Sequence, residues 1–412
     1  VKHRRLALAA PVPLLLASPQ HALAQQTGQI GSTAPAVFAN DKEYRALPHH
    51  IGSLEVTAGA EAKIEYDSNV YAAENNAKDD VRFEISPRVR VRTAPAPLTF
   101  ELNAGGMIRR YATYSTENAE SWLADAGLHW QTGPTSNLNA TVFSRRAIED
   151  RGDTEARLNP NSGPRLIDSL GGELSYHRVS TRTMMDVLLD TTKYNAVSQI
   201  DADRDFTAFA GQATFGLRVT GRAFATATLF ATRRDFRLDR TPSGAERDTT
   251  TFGGRLGINF QPGGLLEGGL SVGVFRHNPD DPNTPGHTGL SVAGNLTYHP
   301  TRRTAVLFDA FNGDVATFRV GATQRTDTIA RVTVNQEIRH NLYANVAVGY
   351  RHTKYTGSGI REETLTGSGE LEYLVMRNVS VAASMSYGNR TSDSATLEFN
   401  RFRGGVALRV RF

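Results

Sequence analysis

From about residue 50 to Phe412, apolar side chains recur at every second position between turn signals. Leu54, Val56, Ala58, Ala60, Ala62, Ile64 and Tyr66 alternate with Glu55, Thr57, Gly59, Glu61, Lys63, Glu65 and Asp67. Successive side chains of a strand point to opposite faces, so this run has one apolar face and one polar face. Next, Val81, Phe83, Ile85, Val89 and Val91 oppose Arg82, Glu84, Arg88, Arg90 and Arg92. Pro87 lies on the apolar side of that run and has no ladder donor, which predicts a bulge there. The alternation returns at Phe252–Phe260, at Leu342–Arg351 and at Phe402–Phe412. Such strands suit either a soluble sandwich or a barrel with lipid outside and water within. The many Ala and Gly at apolar positions are too small to fill a sandwich core of this size.

The connections decide between the two. Short turns fall at 94–97, 132–137, 180–183, 221–222, 262–264, 300–303, 340–341 and 376–378. Longer polar stretches near 68–78, 115–119, 149–166, 197–204, 237–247, 277–287, 313–324, 355–363 and 391–397 lie between them. Short periplasmic turns alternating with longer external loops characterise an outer-membrane barrel. The expected fold is therefore all-β, a closed antiparallel transmembrane barrel of about 18 strands. A count of about 16 remains open, because the phase is ambiguous near 206–236 and 304–330. Trp130, Tyr176, Tyr298 and Tyr373 sit at turn ends of strands, where an interfacial girdle belongs.

Composition agrees with this pattern. The 412 residues are 39% hydrophobic, their mean hydropathy is -0.37, and no run after the N-terminus suits a spanning helix. The absence of Cys rules out disulfides, thiolate metal sites and lipidation of an N-terminal cysteine. Net charge is +4, spread along the chain without a basic block, so nucleic acid is not an expected partner. Lys2, Arg4 and Arg5, the apolar Leu6–Ala17 and the Ala22-Leu23-Ala24 cleavage pattern predict a signal peptide over 1–24. Residues 25–50 lack periodicity and are expected to be a flexible periplasmic segment, leaving 51–412 as the barrel.

Two short stretches carry a resemblance. Leu408, Val410 and Phe412 resemble the C-terminal assembly signal of outer-membrane barrels, with Phe412 as its last residue. Tyr66-Asp67-Ser68-Asn69-Val70-Tyr71 resembles the Tyr-Asp-x-Asn-[Ile/Val]-[Phe/Tyr] stretch of a β-barrel porin family encoded with exopolysaccharide synthesis genes. Tyr66, Asp67, Asn69 and Tyr71 carry that match. The resemblance implies an outer-membrane exit for polysaccharide. It also implies the barrel assembly machinery, surrounding lipid and lipopolysaccharide, and a polysaccharide synthesis or export apparatus as partners.

Catalytic signals are weak. His129, His177, His299 and His340 lie near periplasmic turns, and His277, His287 and His352 lie nearer the outside. Asp280 and Asp281 lie close to His277 and His287, an arrangement that reads as a solvated pair. There is no Gly-x-Ser-x-Gly elbow or His-Glu-x-x-His motif. No enzyme, cofactor or metal site is expected, and the calcium-loop spacing fails around Asp280. Arg151-Gly152-Asp153 is expected in a charged external loop, where its likeness to an adhesion tripeptide is chance.

The informative chemistry is a row of arginines on the polar phase: Arg82, Arg88, Arg90, Arg109, Arg218, Arg255, Arg331, Arg351 and Arg409. In a barrel with an aqueous lumen they are candidate pore-lining residues. Glu84, Glu101, Glu337, Glu370 and Glu372 share that phase. Ion pairs bracing the wall are the plain outcome for most of the arginines. Any left unpaired attract an anionic substrate. The expected function is a passive conduit for an exopolysaccharide, an acidic one among the candidates. A diffusion porin for small solutes and a structural or adhesive barrel without flux are the alternatives.

Overall fold

The computed structural model describes residues 47–240 and 246–412; the expected signal peptide and nearly all of the 25–50 segment lie outside the described residues. A short strand β1 (His49–Ile51) precedes eighteen long ones. The first six are β2 (Leu54–Asp67), β3 (Asp80–Thr93), β4 (Leu98–Tyr111), β5 (Ala119–Gly133), β6 (Ser136–Glu149) and β7 (Arg165–Val179). Then come β8 (Thr183–Ala196), β9 (Phe206–Arg218), β10 (Ala223–Phe236), β11 (Thr249–Phe260), β12 (Leu266–Pro279) and β13 (His287–Thr301). The last six are β14 (Thr304–Val315), β15 (Gln324–Arg339), β16 (Leu342–Thr356), β17 (Arg361–Met376), β18 (Val379–Ser392) and β19 (Phe399–Arg411).

Each strand from β2 to β19 pairs antiparallel with the next, and β19 pairs with β2. The sheet closes with 18 strands, because lipid offers no partner for an open edge. At the seam Phe412 and Ala58 exchange both backbone hydrogen bonds, 2.7 and 3.0 Å long. β1 continues the ladder there along Leu54–Val56.

Register fixes the faces. Across β2 and β3, Glu65 stands opposite Arg82 and Lys63 opposite Glu84 on the inner side. Ile64 opposite Phe83 and Ala62 opposite Ile85 form the outer side. Outward Leu229, Leu256 and Val346 are all more than half exposed, since lipid rather than a second sheet covers them. Pro87 forms no bulge. Pairing with β4 lapses after Ile85–Ile108 and resumes at Arg88–Gly105 in unchanged register. The missing N–H leaves a gap in one ladder, while Ala60 still pairs with Pro87 on the other side. Register shifts fall instead at periplasmic turns, as between Trp130 and Gly133.

Trp130, Tyr176, Tyr298 and Tyr373 all face outward at periplasmic strand ends. Trp122 faces outward at the other end of β5. Eight residues at ~3.3 Å on a strand tilted ~40° separate the two tryptophans by about 20 Å across the membrane. That distance fits an apolar band ~25 Å tall.

Adjacent positions on β16 test the two faces. Val346 faces lipid at mid-strand, and Asn345 faces the lumen, donating to Asn335 Oδ1. Val346→Arg is expected to cost ~2–4 kcal/mol and to impair assembly, whereas Asn345→Arg assembles normally. Equal assembly of both, read as the heat-dependent gel shift of a closed barrel, overturns this phase.

Candidate functional site

All nine candidate arginines occupy inward register positions, and their partners sort them. Arg82 pairs with Glu65 and Glu84, and Arg90 with Glu101. Arg109 is held by Glu84 and Asp150, and Arg409 by Glu61, Glu370 and Glu372. These four brace the wall. Arg218 lies at a periplasmic turn, donating to the carbonyls of Ser180, Thr181 and Gly221. Arg351 donates to Thr154 Oγ1 at 3.1 Å.

Neither Arg218 nor Arg351 has a carboxylate within ion-pair distance among the described residues, and neither do the remaining three. Arg88 is exposed in the lumen. Arg331 stands opposite Asp309 on β14 without closing a salt bridge. Arg255 is 5% exposed, lies over the Phe230 ring, and donates only to Ser291 Oγ (3.2 Å) and Gln212 Oε1 (2.7 Å). A further lumen cation without an ion pair among the described residues, Arg145, is not one of the nine. It is exposed on the inner face of β6, stacked on Phe143. The Arg145-Arg146 doublet hides its phase, since only one of the two can face inward.

The outer half of the lumen is crossed by chain. The loop 150–164 leaves β6, turns into the barrel and returns to β7. Arg151 and Asp153 are 4% and 8% exposed, so the tripeptide expected outside is buried within. Strands β18 and β19 hold the loop by its backbone. Arg401 donates to the Arg151 carbonyl (2.6 Å), and Arg390 to those of Gly152 (2.5 Å) and Asp153 (3.3 Å). Arg351, on β16, lies nine strands from β7 on an 18-strand ring, so the loop that meets it at Thr154 reaches across the lumen. Gly152 has φ +88°, and a Cβ there would meet the Phe399 ring at 2.9 Å.

A second loop, 316–323, meets the first at Glu155. Thr317 Oγ1 and the Phe318 amide donate to its two carboxylate oxygens at 2.7 and 3.0 Å. Phe318 then packs against Phe206 of β9 and Phe236 of β10, with ring centroids 5.9 and 6.2 Å apart. Glu155 itself has φ +65°, a costly conformation for a residue with a Cβ, maintained by these contacts.

The Tyr66–Tyr71 hexapeptide is the socket for this plug. Asp67, fully buried, accepts from Arg401 (2.9 and 2.5 Å) and Arg403 (3.1 Å). Asn69 makes a reciprocal pair with the Ala73 backbone and donates to the Asn400 carbonyl. The Tyr71 ring packs on Tyr114 and lies beneath the Arg151 guanidinium. Arg401 thus joins the hexapeptide to the loop. Period-two phase places Arg401 and Arg403 with Arg409, so that signal was present in the sequence; the inward course of the loop carried none.

His277 departs from its expected surroundings. It is buried, and its partners are Thr251 Oγ1 (3.1 Å) and Asp314 Oδ1 (3.3 Å) rather than Asp280 or Asp281. Both contacts fall on Nδ1. A catalytic relay needs one ring nitrogen on the nucleophile and the other on the acid. The cluster also includes Arg234, which donates to Asp314 Oδ2 at 2.5 Å, and it joins four strands as a brace.

No curated protein matches the sequence. Solved structures that resemble it include the copper transporter OprC, at 12% identity and TM-score 0.48 over 89% of this chain and 82% of that one. The outer membrane protein OpdK from Pseudomonas aeruginosa matches at 13% and 0.46, covering 87% and 99%. OccK2 (OpdF) from the same organism matches at 11% and 0.46, covering 87% and 98%. Residues 42–412, which include every described strand, match the family described as "Putative beta-barrel porin 2". This outer-membrane, porin-like barrel belongs to that family.

Proposed function

We propose that the barrel is a passive, non-enzymatic conduit for anionic saccharides, serving to release an acidic exopolysaccharide. The supporting observation is a group of lumen cations without carboxylate partners among the described residues: Arg88, Arg145, Arg255 and Arg331. Thr, Ser, Asn and Gln interleave with them on the inner face, as Thr228, Ser291, Asn335 and Gln212 do. Such groups suit hydroxyls, and uncompensated guanidiniums attract carboxylates. The likeness of Tyr66–Tyr71 to porins of exopolysaccharide loci adds the direction of transport and a synthesis apparatus as partner.

Single channels in a planar bilayer are expected to prefer anions. Replacing Arg88, Arg145 and Arg331 together by Gln weakens that preference. The effect fades as salt rises, since the Debye length is ~10 Å at 0.1 M. In cells, loss of the gene cuts secreted polysaccharide and spares small-solute uptake. A cation-selective channel, or one whose loss slows uptake and spares the polymer, rejects the proposal. The loop clamped across the lumen favours a second reading, a diffusion porin for small solutes, because a polymer needs that loop to move. A barrel closed to ions in all conditions points to a structural role.

A further inference from the structure

The outward face of β4–β8 is not an even wall. Ala126 on β5 and Gly172 on β7 flank Val142 of β6, and Ala140 lies diagonal to both, between Leu128 and Leu174; the three are too small to reach the height of these neighbours. Phe100, Leu174 and Leu189 rise around them and leave an apolar trough of about 510 Å³. On β5, Ala126 falls midway between the girdle residues Trp122 and Trp130, so the trough lies at membrane depth, facing lipid. A trough is the wrong shape for a second barrel, since two convex walls meet along a line. It suits one flexible chain.

A cation stands above it. Lys193 lies two residues beyond Thr191, which borders the trough, about 7 Å toward the outer rim. Its direct neighbours across the sheet are Leu170 and Thr207, both neutral. The two acids diagonal to it are engaged. Asp168 holds Arg146 through two bonds of 2.7 and 2.8 Å, and Asp205 holds Arg237 and the Ala196 amide. Lys193 is exposed and pairs with no carboxylate among the described residues.

We propose that this trough and Lys193 form a binding site for a phosphate-bearing membrane lipid. One acyl chain lies over Ala126, Ala140 and Gly172, and the headgroup phosphate meets Lys193. The site is on the outer wall and independent of what passes through the lumen.

The intact protein, purified in detergent, is offered phosphatidylglycerol and phosphatidylcholine in competition, and retained lipid is counted by native mass spectrometry. The wild type is expected to retain phosphatidylglycerol preferentially. Lys193→Gln lowers that preference about fivefold, the effect of one lysine near an anionic surface. Gly172→Leu abolishes retention of both lipids. The barrel tolerates it, because a Cβ at Gly172 meets only Thr141 O at 3.6 Å and Val142 Cγ1 at 3.8 Å. Ala140→Leu fills the same floor and serves as a second variant, and the heat-dependent gel shift verifies that each has folded. Unchanged retention in both filled variants overturns the site. So does displacement of the lipid by inorganic phosphate, which excludes the acyl contact. An oligomer in the wild type that the filled variants dissociate assigns the trough to a second copy instead.

Discussion

Replacing residues 152–161 by a Gly-Ser-Gly turn is expected to raise single-channel conductance severalfold. Glu149 and Arg165 are directly paired across β6 and β7, so a short turn can join the strands without disturbing the barrel. The deleted residues are those that reach Arg351, Arg390 and loop 316–323 on the far side. Removing them leaves loop 316–323 as the chain still entering the outer lumen. Conductance measured in planar bilayers, with the gel shift unchanged, provides the test. If conductance stays at the wild-type value, the constriction lies elsewhere.

Mild acid is not expected to produce the same opening. Burial by itself would raise the Asp150 carboxyl, but Arg109 and Arg403 beside it, with Arg82 and Arg401 behind, hold it well below the usual carboxylate range. A carboxylate with a depressed folded pKa contributes stability that is present above its unfolded value, ~3.9, and lost only as pH falls through the lower folded value. The anchor therefore stays ionised between pH 5 and 8. A step in conductance within that window that disappears in Asp150→Asn contradicts this assignment.

Asp67→Ala is expected to destabilise the barrel by about 3–5 kcal/mol, a large effect for one residue. Asp67 is fully buried and shared by Arg401 and Arg403, so its loss leaves Arg401 without a carboxylate and Arg403 with Asp150 alone. Surface pairs such as Arg110–Glu120 on the lipid-facing rim contribute far less, ~0–1 kcal/mol. The temperature at which the compact gel band disappears should fall markedly in Asp67→Ala and hardly at all in Glu120→Ala. Equal shifts exclude the hexapeptide as a keystone. Because Arg401 also holds the Arg151 carbonyl, Asp67→Ala should in addition make the channel noisy, through transient release of the loop.

The barrel was legible because its cause is local. A wall between lipid and water imposes a two-residue period on every crossing, and the asymmetry of turns and loops orders the crossings. Phase alone placed all nine arginines on the inner face and Val346 on the outer. It failed where local sequence is symmetric or silent: at Arg145-Arg146, where either residue could face inward, and at Pro87, where a missing donor does not dictate a bulge.

Pairing was beyond the sequence. Arg88 and Arg90 are two residues apart on one face of one strand, yet only Arg90 has a carboxylate partner. The reason is register: Glu101 lies on a neighbouring strand within reach of Arg90, and Gly105 stands opposite Arg88. The inward course of loop 150–164 was equally hidden, because its polar residues suit an external loop just as well. Its position depends on Arg351, Arg390 and Arg401, which follow their partners in it by 197 to 250 residues and reach it only when the ring closes. The sequence by itself determined which side of the wall each strand residue faces, since that follows from alternation. Closure of the 18-strand ring decided which charges meet across the lumen and what spans it, because those contacts join residues that no local pattern relates.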